Sequence, residues 1–409
     1  MFPEDSYKRL LANRSFLALW LGQGIASLGQ AILYVTLALY VYDLTGSAQG
    51  VSLAVALELL PWVVVGPIAG ILADRVNRKF LLVGGYVTQA GLVALLPFTN
   101  SLEQVYVLIF LSSLPVPVSQ ITRATALPSV TGVELFIRGS SLDIAALNIA
   151  GVIGPVLGGW LLGVFGARVA FFIIAGCLLV AAVLSTIASV PRPEVSFRQP
   201  LRPSVAWRDL RAAATLLASS KVFRFLLLLN FVLSIGWTAP DVAAVVYLTD
   251  TLQLSGQEFG LLHATMSLSI ALTVYVLGHT SRRFRRSRML IGGAVLAGLA
   301  YTLILFEPGL SQMLIIWAVS GLGWGVHWLM DQTLWAEATP DETRGRVFSL
   351  AEAMVSLVGV VMALLGGWLI ANLGPVPALA IIGLAMALGA LALSLITKGY
   401  RAIAEVKPE

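Results

Sequence analysis

Twelve apolar runs, each of about 18 residues or more and so able to cross ~30 Å of hydrocarbon at ~1.5 Å per residue, follow one another along this chain. The first six read Phe16 to Tyr42, Ala48 to Leu72, Phe80 to Phe98, Gln104 to Arg123, Gly139 to Phe165 and Arg168 to Val190. The second six read Val222 to Thr249, Glu258 to Thr280, Met289 to Phe306, Ser311 to Gln332, Arg346 to Asn372 and Pro375 to Thr397. Hydrocarbon offers backbone N–H and C=O groups no partner, so runs of this length must be helices that close their own hydrogen bonds. With 58% hydrophobic and 11% charged residues, 409 residues have no means of hiding their apolar surface in one soluble core. An all-α membrane protein with 12 transmembrane helices is therefore expected. The first run is too long for the core of a signal peptide and lacks a small-residue cleavage site, which makes it the first spanning helix. Cys177, the single cysteine, has no partner for an internal disulfide and reads as a small packing residue.

The placement of Lys and Arg tests the number twelve. Twelve spans put both termini on one side with the loops after spans two, four, six, eight and ten, and 25 of the 26 Lys and Arg fall there. Arg168 alone falls opposite. A missed or extra span would scramble this separation. Since cationic loops stay in the cytoplasm, both termini are placed there, in a multi-pass protein of the cytoplasmic (inner) cell membrane. The net charge of +5 is then a topology signal, and nucleic acid is not an expected partner.

Between the two sets of six lies a polar linker, and the chain divides into 1–190, the linker 191–221, and 222–409. Pro191, Pro193, Pro200 and Pro203 keep its first part extended. Trp207, Leu210, Ala214 and Leu217 then recur at helical spacing beside Arg208 and Arg211, the pattern of a short helix on the cytoplasmic membrane face. A plain covalent tether is the alternative.

At a shift of 208 residues the halves match. Gly70, Arg75, Arg78, Gly84 and Gly85 fall on Gly278, Arg283, Arg286, Gly292 and Gly293, and Leu157 to Leu161 falls on Leu365 to Leu369. Two six-helix bundles of the same orientation follow, with a substrate site expected where such repeats face each other near mid-membrane. The same shift exposes charges that the copies do not share. Asp74 falls on Arg282 and Arg123 on Asp331, so each half holds one acid and one base with the signs exchanged. Two ion pairs are expected, Asp74 with Arg123 and Arg282 with Asp331; the alternative is that these charges merely satisfy topology.

The loop after the second span reads GILADRVNRK, and its Gly70, Asp74, Arg75, Arg78 and Lys79 resemble the GxxxDRxxRK signature of major facilitator superfamily transporters. Where that family usually has glycine stands Asn77, which tolerates the left-handed backbone such a turn would use. The resemblance implies the MFS fold, with Asp74 engaging Arg123 and the start of the eleventh helix as a conformational gate. In the fifth span Gly154, Pro155, Gly158 and Gly159 form GPxxGG, similar to the antiporter motif of the superfamily's exporters, with Ala150 where that pattern has its earlier glycine. Small residues permit close helix approach and proline bends a helix, so the segment reads as a packing pivot or as a contact helix without directional meaning. The stretch Arg123 to Gly159, with Pro128, and Pro340, Arg344, Gly345, Arg346 and Val347 resemble the branch holding macrolide-efflux proteins and enterobactin-type siderophore exporters.

Polar groups inside lipid are costly and point to function. Glu58 lies about 15 Å along its span from the outer end, near the midplane, and its repeat partner is Met266. It is the leading candidate for a proton-coupling or cation-binding carboxylate, with a structural hydrogen-bond partner as the alternative. Asp241, matched by Leu33, is the second candidate, or a solvated entrance acid. Asp143 and Glu352, near the cytoplasmic starts of their spans, read as gate or interface charges. Gln23, Gln30 and Asn148 either line a path or join helices. His263 and His327 read as isolated packing histidines, too lone for a metal. Trp324, Trp328 and Trp335 repeat along the tenth span and either stack a bulky aromatic substrate or pack helices.

No phosphate loop, zinc-ligand spacing or nucleophile with a base is present, so neither enzymatic chemistry nor a cofactor is expected. Without a site for ATP, uphill transport needs an ion gradient. The resemblance implies a proton-coupled exporter of a small amphipathic molecule such as a drug, macrolide or siderophore, working as a monomer by alternating access. A lysophospholipid mover or importer of the same fold, and a non-transporting membrane sensor, are the alternatives.

Overall fold

A computed structural model of the chain describes residues 5–132, 134–190, 211, 214–254, 256–280, 285–339 and 344–397. Among these there are helices and no strands. In chain order they are α1 (Asp5–Ala12), α2 (Arg14–Thr45), α3 (Ala48–Val64), α4 (Gly66–Arg75), α5 (Arg78–Leu95), α6 (Leu102–Ser113), α7 (Pro115–Thr131) and α8 (Phe136–Ile187). After the linker come α9 (Lys221–Val246), α10 (Gly256–Thr280), α11 (Arg286–Thr302), α12 (Leu310–Ala338), α13 (Arg344–Leu373) and α14 (Pro375–Ile396).

Among the described residues ten helical stretches are individually long and apolar enough to cross a bilayer, and α3 with α4, bent by 49°, pass the same criterion taken together as one broken span. The 52 residues of α8 would reach about 78 Å if straight, far beyond one membrane thickness. Its backbone breaks at Gly166, φ 76° and ψ 169°, and so divides it into two spans, which agrees with twelve crossings. Gly374 carries nearly the same dihedrals, φ 83° and ψ 165°, between α13 and α14. The two glycines are 208 residues apart, so the repeat seen in sequence extends to backbone conformation. Only glycine adopts such a φ without strain.

Helix ends lie within a few residues of the apolar runs except at α7 and α12. Those two continue past the hydrophobic stretch to Thr131 and Ala338. Hydropathy stops at a polar residue, whereas the i to i−4 ladder continues for as long as its groups are satisfied. A short helix that the apolar pattern does not reveal, α1, precedes the first span and buries Leu10 against Phe16 and Leu127. Of the linker, residues 214–219 are helical with Leu217 buried, and Trp207, Arg208 and Leu210 lie outside the described residues.

The chain groups into two compact units, Met1–Leu37 with Leu60–Leu201, and Ala38–Leu59 with Arg202–Glu409. In the first, α5 packs on α7 and α8. In the second, α12 packs between α10 and α11, while α9 packs on α13 and α14. The end of α2 and most of α3, Ala38–Leu59, belong to this second unit; Val55 and Ala56 pack on Ala363 of α13. Since lipid is as apolar as leucine, helices gain here from close van der Waals contact. At Gly293 a Cβ would come 2.6 Å from the Gly323 carbonyl oxygen, so α11 and α12 touch backbone to backbone.

Candidate functional site

The loop signature begins inside α4 and ends at the first turn of α5. Gly70 is helical, with open space where a Cβ would project. Asn77 has φ −58° and ψ 113°, not the left-handed backbone expected from its glycine-like position. It acts instead as an N-cap, its Oδ1 accepting from the Lys79 backbone N–H at 3.0 Å. Asx side chains at this position replace a missing helical acceptor, which is why Asn substitutes for glycine here. Arg78 Nε donates back to the Ala73 carbonyl at 3.4 Å, and Arg75 and Lys79 are half-buried. The Asp74 side chain and Arg282 lie outside the described residues, as do the side chains of Arg344 and Arg346.

Arg123 of α7 forms an ion pair with Asp143 of α8. Sequence spacing had assigned neither to the other. In the second unit, Asp331 at the position matching Arg123 accepts a hydrogen bond from Asn230 Nδ2 at 3.0 Å.

The GPxxGG residues of α8 are buried against α2. A Cβ on Gly154 would collide with Ala31, and one on Gly158 would stand 2.9 Å from the Ile32 carbonyl oxygen. Pro155 and Gly159 are buried in the same face. Gln23 lies a few turns away, buried; its Nε2 donates to Ser27 Oγ at 2.8 Å and its Oε1 accepts from Tyr86 OH at 3.2 Å. Its amide thus ties α2 to α5.

The second unit contains a cavity of about 310 Å³ bounded by α9, α12, α13 and Leu59 of α3. Asp331 and Glu352 supply two carboxylates, and Trp237, Trp324, Trp328 and Trp335 supply most of the aromatic wall. Counted from Lys221, Ala338 and Arg344, these residues lie roughly 5 to 24 Å along their helices, from Trp335 near the end of α12 to Trp237 well inside α9. Asn230 is held by two acceptors, the Leu226 carbonyl and Asp331 Oδ1, both at 3.0 Å. Trp324 meets Trp237 edge to face at 5.4 Å between centroids, and Trp335 stacks on Phe223 at 5.1 Å. The tryptophans of the tenth span therefore face one volume as well as packing helices. His327 sits in the same wall, 3% exposed, with Nδ1 3.4 Å from the Leu290 carbonyl.

Glu58 directly precedes Leu59, is partly buried, and has no ion pair or side-chain hydrogen bond among the described residues. Asp241 is not solvated. It is 8% exposed, and its Oδ1 lies 2.9 Å from His263 Nε2. The histidine, expected to be alone, belongs to a buried polar pair joining α9 to α10, with Phe259 packed edge to face on its ring at 5.1 Å. Hairpin depth carries the signal that reveals this pair: Asp241 stands about ten residues before the α9–α10 turn and His263 about ten after it. Nearer the turn, Tyr42 OH of α2 donates to Asp250 Oδ2 at 2.7 Å, both within the second unit and again 208 residues apart. Sequence reasoning missed Asn230 although it is a polar residue inside the seventh apolar run, and missed Trp237, which is one of ten tryptophans. Among the described residues no cluster of His, Cys, Asp and Glu is arranged to hold a metal.

The family model described as Major Facilitator Superfamily matches residues 19–228 and again 226–408. Macrolide efflux protein A of Streptococcus pyogenes is 24% identical over 362 residues, 86% of this chain and 88% of that protein. Enterobactin exporter EntS of Citrobacter koseri is 26% identical over 409 residues, 98% of this chain and 95% of that protein. Among solved structures, a peptide transporter POT in complex with alafosfalin aligns over 97% of this chain and 96% of that one, with TM-score 0.76 and 15% identity. At that identity the likeness speaks to fold alone.

Proposed function

The chain belongs to the Major Facilitator Superfamily, and from that premise we propose that it is a proton-coupled exporter of a small amphipathic molecule. The observation that carries this reading is the half-open cavity with two carboxylates and a tryptophan wall, set between spanning helices. Carboxylates there are too costly to serve as filler. The names of the macrolide and enterobactin exporters support the outward direction. In this reading the termini are cytoplasmic and the two repeats rock against each other. The α4–α5 loop, with Gly70, Asp74, Arg75, Arg78 and Lys79, and the Arg123 end of α7 act as the gate; Arg282 and Asp331 hold the matching places in the second half. Gly154, Pro155, Gly158 and Gly159 form the bearing on which α8 turns against α2.

Coupling needs an acid able to hold a proton away from water. Glu58 and the Asp241–His263 pair are the two candidates, at different places in the second unit. The test is flux in proteoliposomes with an imposed pH gradient and a panel of macrolides, siderophores and lipophilic cations, for the parent and Glu58→Gln. Gradient-driven flux that disappears in Glu58→Gln assigns coupling to that carboxylate. Flux retained in the variant moves coupling to Asp241, and no flux for any cargo ends the exporter reading.

A further inference from the structure

Taking the cavity of the second unit as the substrate site, which rests on the reading above, we infer that its ligand is a lipophilic organic cation, such as a protonated tertiary amine, and not an anion. Among the described residues the wall contains Asp331 and Glu352 and no Lys or Arg. The basic side chain it does contain among those residues, His327, has Nδ1 facing the Leu290 carbonyl. Asp331 has the Asn230 amide as a neutral donor on one oxygen. Glu352 is exposed toward the cavity and has no ion pair among the described residues.

Two carboxylates around one low-dielectric volume repel each other, and desolvation penalises both. A cation entering between them relieves both costs, while an anion adds to them. The aromatic wall specifies what kind of cation. Trp237 is 56% and Trp328 45% exposed although both are wall residues, so their rings offer surface to the cavity. The face of an indole is the best cation–π partner among side chains, and most so away from water. A metal ion would use the carboxylates and leave these rings idle; an organic cation uses both. The volume, about 310 Å³, is at the small end of the range that takes drug-sized molecules.

The test is equilibrium binding to the purified full-length protein in non-ionic detergent, without any gradient, read by tryptophan fluorescence. The probes are tetraphenylphosphonium and tetraphenylborate, nearly the same size and shape with opposite charge. The expected result is tetraphenylphosphonium binding about tenfold or more tighter than tetraphenylborate, with Glu352→Gln weakening the cation about tenfold and Glu352→Asp restoring much of it. Trp328→Leu is a second variant, should Glu352→Gln fail to fold, and is expected to weaken the cation while Trp328→Phe retains it. Equal or tighter binding of tetraphenylborate, or cation binding indifferent to both positions, overturns the inference. Charge preference without flux overturns only the exporter reading, and flux without charge preference overturns only this one.

Discussion

His263 Nε2 stands 2.9 Å from Asp241 Oδ1, an acid and a base brought together by two antiparallel helices inside the second unit. Side-chain exposure is 14% and 12%, so bulk water screens the pair little. Asp241→Asn keeps the shape and removes the charge. The expected outcome, if this pair carries the coupled proton, is a loss of pH-driven flux by about tenfold or more with downhill exchange of substrate preserved. Solid-supported-membrane currents separate the two. Unchanged pH-driven current in Asp241→Asn would assign the pair to structure alone.

The ion pair of Arg123 with Asp143 is nearly enclosed, at 14% and 10% exposure. Removing one partner strands the other charge, so Arg123→Ala should lower stability by roughly 3–5 kcal/mol, and the double variant Arg123→Ala with Asp143→Asn should recover part of it. Thermal unfolding in detergent reads both. A double variant no better than the single would mean that the loss comes from packing.

At Gly154 the added Cβ meets Ala31 of α2. Gly154→Leu is therefore expected to force the helices apart, at a cost of about 1–3 kcal/mol, while Leu at Gly70, whose Cβ would meet open space, should cost less than half as much. Comparing the two melting temperatures checks the assignment of the close contact to Gly154.

Gly166 and Gly374 share a positive φ at corresponding hairpins. Neither Cβ would touch anything, so an alanine there isolates backbone strain, about 1–2 kcal/mol at each place and additive in the pair. A loss at one glycine only would show that the two hairpins are not equivalent.

Tyr42 donates to Asp250 at 2.7 Å, and Tyr42→Phe removes the hydroxyl without changing the ring. The expected loss is about 1 kcal/mol, with Asp250→Asn losing less because the amide oxygen still accepts. Thermal unfolding of the two variants ranks them.

Much of the architecture was legible because lipid allows so few solutions. An apolar run must be a helix, and the 208-residue shift that matches Gly70 with Gly278 reappears in the structure as the shared backbone turn of Gly166 and Gly374. The site was legible in part. Trp324 and Trp328 stood out by spacing, and they do face one cavity. Asp241 stood out as an acid in lipid with two readings, a coupling carboxylate or a solvated entrance group; its burial goes against the second, because burial depends on what the neighbouring helix presents. Asn77 shows the same limit locally: its side chain caps α5, a job that a one-residue comparison with glycine does not reveal.

The sequence by itself determined which stretches must be helical and where the repeat falls, since these follow from periodicity, length and the cost of bare backbone in hydrocarbon. Only the tertiary structure decided partners. Arg123 with Asp143, Asp241 with His263, Asn230 with Asp331, and four tryptophans around two carboxylates are set by the rotation and depth of each helix against its neighbours. Those variables arise from side-chain packing between segments far apart in the chain, and no pattern along a single helix encodes them.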